Sequence, residues 1–288
     1  MATPPDLSPL YALLGSALPF SCLEARFMQR ALLALLLLAP MTAAMGIVVV
    51  NSRMAFFAEA ISHSAFTGVA LGVLLSLSPD WTMPLFGLAA GLGITFARRR
   101  TSLAGDTVIG VFFSAMVAFG LAMVSRERGL ARDMPRFLYG DILAVGDGQI
   151  LALAALFAVV FVFLGLSWNR LLYLGIDETL ARTHGVSVAP LQYVFSGLLA
   201  LLTMFSVQAI GVFLVTALLV VPAAAARNLS NSASAMFWWA VLLGTVSATT
   251  GLLISAQDWA RTAAGATIIL VACGFFAASL LVARRRRG

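Results

Sequence analysis

The chain has 288 residues, 61% hydrophobic and only 10% charged, with a net charge of +6 and a mean hydropathy of +1.00. Soluble globular proteins are about 45–50% apolar and about 25% charged. Too few charges remain here to cover a water-facing surface, which excludes an ordinary soluble enzyme or nucleic-acid binder and leaves an integral membrane protein.

A bilayer core of about 30 Å takes roughly 20 apolar residues per helix, and runs of about 17 are tolerated. By that measure the sequence predicts an all-α polytopic bundle with spans near 31–50, 57–77, 82–97, 105–124, 149–167, 190–207, 209–227, 235–255 and 264–283. The count is nine, or eight if one short run is re-entrant. Residues 1–30 form an N-terminal interfacial segment, because the apolar stretch 7–23 is broken by Pro9 and Pro19. The first span has features of a signal peptide, with Arg26 and Arg30 before a leucine-rich run and Thr42, Ala43 and Ala44 after it. A cleavable signal starts near the N-terminus. Here thirty residues come first, and Gly46 to Val50 extend the run to spanning length, so a retained helix is expected.

The second span carries Glu59 and His63. Ionisable groups inside a span are costly and mark a pathway or a buried pair. Residues four apart share one helix face, with Ser62 one step away and Thr67 continuing the stripe. His63 lies ten residues past Arg53, a depth of about 15 Å at 1.5 Å per residue, near mid-membrane. Carboxylate and imidazole so placed offer oxygen and nitrogen to a divalent ion. Alternatively they satisfy each other by a hydrogen bond, and spacing alone leaves both readings open. The other histidine, His184, falls in a loop, so a closed four-ligand zinc cage is not expected. An incomplete pair suits a transit site that must also release its ion.

Asp106 opens the 105–124 span, where a carboxylate can cap the first turn and complement the helix dipole or line a pathway. Asp141 lies between the arginine-rich 126–136 stretch and the next span, in a pathway or structural role. The stretch from Gly175 to Val186 reads as a short amphipathic helix within the polar connection 168–189, with Asp177 or Glu178 at its start and Gly185 as its stop. It is either a surface helix on the membrane or a docking knob for a partner. Pro222, inside a span, removes one helix hydrogen bond and predicts a kink, and the small residues after it allow close helix contact. Cys22 and Cys273 imply neither metal spacing nor a disulfide framework.

All eighteen basic residues are arginine. Cytoplasmic loops collect basic residues. With the tail 284–288 and its Arg284 to Arg287 in the cytoplasm, that side holds eleven arginines and the other seven. The chain contains no glycine-rich phosphate loop, His-Glu-x-x-His or Gly-x-Ser-x-Gly motif. If ATP drives it, another chain hydrolyses the ATP.

These residues carry a resemblance. The sequence is similar to permease subunits of ATP-binding cassette importers for zinc, manganese or iron. The matching blocks are Arg53-Met54-Ala55-Phe56-Phe57 with Glu59 and Ser62-His63-Ser64-Ala65, then Asp106-Thr107-Val108-Ile109-Gly110 and Gly140-Asp141-Ile142-Leu143-Ala144-Val145. Asp177-Glu178-Thr179-Leu180-Ala181 with Gly185, the run Gly211 to Ala223 and the run Ala264 to Leu270 complete them, in family order over about 24–283.

The resemblance implies a transport subunit rather than an enzyme, in the inner (plasma) membrane, with 31–283 as the permease domain. It implies a second permease chain, identical or not, a cytoplasmic ATP-binding subunit and an extracytoplasmic metal-binding solute-binding protein. No tightly bound cofactor and no nucleic acid are implied; the metal is cargo. It further implies that Glu59 and His63 line the metal path and that the helix bearing Asp177, Glu178, Ala181 and Gly185 couples to the ATPase. One departure is Glu59, where the family commonly has Asp; glutamate reaches one methylene further. The rival readings are a permease for a chelated metal, such as a siderophore or corrinoid, and an ion-driven carrier working alone. A third, an intramembrane protease, is disfavoured because Ser62 and Ser64 point to different helix faces from the adjacent His63.

Overall fold

The computed structural model describes Tyr11 and residues 25–125, 140 and 142–287. The rest of the expected interfacial segment, the 126–136 stretch, Asp141 and the side chains of Arg285 to Arg287 lie outside the described residues. The helices are α1 (Arg26–Asn51), α2 (Ala55–Leu74), α3 (Pro79–Arg100), α4 (Gly105–Val124), α5 (Asp147–Ile176), α6 (Glu178–Thr183), α7 (Val188–Ile210), α8 (Val212–Leu229), α9 (Ala233–Ser255) and α10 (Ala264–Arg287). A single 3-10 turn, Ile142–Ala144, precedes α5, and no strand occurs among the described residues.

Eight of these helices are long and apolar enough to cross a membrane. The ninth long helix is α3, whose 22 residues carry Asp80 in the first turn and Arg98 to Arg100 in the last. The fold is therefore the expected all-helical polytopic bundle, with α6 as its short extra helix. Where the sequence predicts a polar connection from residue 168, α5 instead continues to Ile176. Arg170 stays exposed there, and a long basic side chain at a helix end can keep its head in water.

The bundle has two packed groups. In one, α1 contacts α5, α8 and α9, while α10 lies against α8 and α9; in the other, α2 contacts α3, α4 and α7. Helix α8 touches both α1 and α2 and joins the groups. Helices in lipid gain little from the hydrophobic effect and associate by close packing of small residues. A Cβ on Gly46 would overlap the carbonyl oxygen of Leu219, so α1 and α8 meet backbone to backbone. Pro222 is buried in α8, which runs unbroken from Val212 to Leu229 around it. Gly211, at φ 81°, lets α7 turn into α8 with no loop between them.

Candidate functional site

Helix α2 has 20 residues, about 30 Å at 1.5 Å per residue, and Glu59 and His63 occupy its first half. His63 Nε2 lies 3.0 Å from Glu59 Oε1. Their side chains keep 20% and 31% of their exposure respectively, so the pair is half-buried on a face of this chain rather than sealed in packed core. That residual access is what an ion needs to reach them.

Residues of other helices flank the pair. Phe113 of α4 sets its ring edge-on to the His63 imidazole, centroids 5.2 Å apart, and Phe66 lies at 6.3 Å. From α8, Thr216 lies close to the Glu59 carboxylate, while its hydroxyl donates to the Val212 carbonyl one turn back at 3.4 Å. Helix α4 is fixed against α2 by the buried Thr67, whose hydroxyl donates to the Met116 carbonyl at 2.9 Å. Thr67 therefore ties helices together instead of facing the pair. Ser62 is fully buried, and its hydroxyl has no hydrogen-bond partner among the described residues.

No cluster of three or more His, Cys, Asp and Glu side chains occurs among the described residues. Two protein ligands, one oxygen and one nitrogen, are an open site. They can hold a borderline divalent ion that keeps other ligands, but not a closed structural zinc, which takes four.

The remaining predicted positions stand apart from this pair. Asp106 is exposed in the first turn of α4, with no side-chain capping bond at that helix start. Asp177 caps α6, its Oδ1 accepting from the Thr179 amide at 2.7 Å and the Leu180 amide at 3.0 Å. The amides of Leu180 and then Thr179 hold its carboxyl below the ordinary aspartate range. Glu178 pairs with Arg182 at 2.7 Å, and Ala181 is fully buried. Gly185, at φ 73°, ends the helix: its amide donates to the Arg182 carbonyl and the Val186 amide to that of Ala181. That double closure is a Schellman stop.

Thr216 and Phe113 belong to the site yet have no role in the sequence reading. Thr216 lies in the matched 211–223 run, but only the α8–α2 contact brings it to Glu59. Phe113 is one of several apolar residues of α4 with nothing in its local sequence to distinguish it.

The chain matches the ABC 3 transport family over residues 24–283. It is 31% identical over 260 residues to the manganese transport system membrane protein MntC of Listeria monocytogenes, covering 90% of this chain and 92% of that one. It is 29% identical over 255 residues to the high-affinity zinc uptake system membrane protein ZnuB of Haemophilus influenzae, covering 88% and 97%. Among solved structures it is similar to PsaBC from Streptococcus pneumoniae in complex with Fab, with a TM-score of 0.76, 29% identity and coverage of 94% and 95%. The chain is a multi-pass membrane transport permease and belongs to the ABC 3 transport family.

Proposed function

We propose that this chain is the membrane permease of an ATP-driven importer for a divalent transition metal ion (zinc, manganese or ferrous iron), and that Glu59 and His63 hold the ion in transit. The single observation carrying the site assignment is the half-open Glu59–His63 pair in the first half of α2. The relatives named for manganese and zinc transport support the substrate class.

The chemistry follows from the pair. Without an ion, the hydrogen bond between Nε2 and Oε1 keeps both groups on one face. An arriving cation replaces that bond, taking a carboxylate oxygen of Glu59 and an imidazole nitrogen of His63. The ligating nitrogen must be the one that carries no proton, so binding fixes the tautomer of the neutral imidazole. Two protein ligands bind weakly enough to let the ion leave. Thr216 of α8 lies beside the Glu59 carboxylate, and the Phe113 ring covers one side of the imidazole.

In this reading the ion enters from an extracytoplasmic solute-binding protein, between this chain and a second permease chain. An ATP-binding subunit docks on α6 from the cytoplasm, in the plasma membrane, with the arginine tail on the same cytoplasmic side. No resident cofactor is needed, because the metal is cargo. Deleting the chain tests the reading. Cells should lose a zinc, manganese or iron pool, recover it with the wild-type chain, and fail to recover it when the ATP-binding partner carries an inactive ATPase site. Recovery with the inactive partner would indicate an ion-driven carrier, and a deficit confined to a chelated metal would indicate a chelate permease.

A further inference from the structure

A second polar feature lies at the opposite end of α2 from Leu74, where residues of seven helices line a cavity of about 760 Å³. Its lining includes the apolar Val48, Leu174 and Phe195 and the basic Arg53, Arg98, Arg99, Arg182 and Arg227. Asp177 and Glu178 are the carboxylates in the same lining. Both are already occupied, Asp177 by the two α6 amides and Glu178 by Arg182.

Charge is therefore unbalanced. Arg99 donates to Gln192, a neutral partner. Asp106 and Glu178 act on Arg98 only at longer range, outside ion-pair distance. Arg53, Arg98 and Arg227 have no ion-pair partner among the described residues. Arg53 holds a backbone φ of 53°, a conformation that non-glycine residues rarely adopt. Converging guanidinium groups in a partly enclosed space attract anions strongly, because low-dielectric walls focus their field. Their planar forks match phosphate oxygens two at a time. The volume is in the range of small-molecule sites, about 300–1,000 Å³.

We propose that this arginine-lined cavity is a binding site for a phosphate-bearing anion, either a soluble phosphate compound or the headgroup of an acidic lipid. The site is separate from the Glu59–His63 pair and repels cations. Its placement on the cytoplasmic face rests on the orientation proposed above. Binding to the purified chain does not, so either can fail without the other.

The test is calorimetric titration of pyrophosphate into the full chain in nanodiscs of phosphatidylcholine. Saturable binding is expected, weakened about tenfold or more by Arg98→Gln and by Arg227→Gln, since hydrogen bonds between charged groups carry about 1.5–3 kcal/mol. Arg227 is exposed, so its variant tests the site without disturbing packing. Arg100→Gln should change nothing, because Arg100 lies over the Phe96 ring outside the cavity. Repeating the titration with phosphatidylglycerol present separates the sources: lost pyrophosphate binding identifies a lipid headgroup, and retained binding a soluble phosphate. No saturable binding in phosphatidylcholine, or binding untouched by both cavity variants, overturns the proposal and leaves these arginines to contact an acidic protein surface.

Discussion

The two faces of α8 differ in what they tolerate. Toward α1 the contact is backbone on backbone, Gly46 against Leu219, with 72% of the most apolar window of α1 buried inside the bundle. Toward α2 the same helix presents Thr216 to a carboxylate that stays 31% exposed. The first contact has no room for another atom, whereas the second leaves the carboxylate partly accessible. A transport chain needs both, since a fixed reference helix is what makes a small opening specific. The outer helices extend the contrast: the corresponding windows of α4 and α10 are only 28% and 22% buried, which leaves apolar faces for lipid or for a second chain.

Substitutions can break this comparison on either side. Gly46→Leu forces α1 off α8 and should destabilise the chain by about 3 kcal/mol, at the upper end for overpacking; thermal unfolding of the detergent-solubilised chain measures it. An unchanged melting point would mean that the α1–α8 contact is not the reference assumed here. Glu59→Gln keeps shape but removes the charged ligand. It should lower metal uptake about 100-fold, at least the upper loss seen on removing an outer-shell partner of a metal site. Its melting point should stay near that of the wild type, since the pair is only half-buried.

Thr216→Val removes one hydroxyl near the carboxylate and should reduce uptake about fivefold, the equivalent of roughly 1 kcal/mol for one hydrogen bond. A larger loss would make Thr216 a ligand rather than a positioning residue. The smallest expected effect is at α6. Asp177→Ala removes the helix cap and should weaken stimulation of the ATP-binding partner without abolishing it. The depressed carboxyl of Asp177 contributes to helix stability above its unfolded pKa of about 3.9 and loses that contribution as pH falls further. The difference between wild type and Asp177→Ala should therefore stay constant from pH 5 to pH 8, as ATPase assays across that range would show.

Much of this was legible in the sequence, for particular physical reasons. Spans show themselves because lipid tolerates only long apolar helices. Glu59 and His63 stand out because charge is scarce there, and their spacing of four already places them on one helix face. Asp177 and Gly185 mark the ends of α6 because capping is local chemistry. What stayed hidden depends on tertiary contact. Nothing near Thr216 signals that α8 carries it to Glu59, and nothing near Thr67 signals a bond to the Met116 carbonyl instead of a place beside the pair. The continuation of α5 to Ile176 was hidden by Asn169 and Arg170, polar residues that a helix end accommodates in water.

The central claim is that Glu59 and His63 form the transit site for the ion. Its most direct test is uptake of radioactive manganese and zinc by cells expressing wild type or His63→Ala at matched membrane levels, each with its ATP-binding partner. His63→Ala should lose nearly all uptake of the transported metal while keeping its place in the membrane and its melting point. Full uptake by His63→Ala would contradict it.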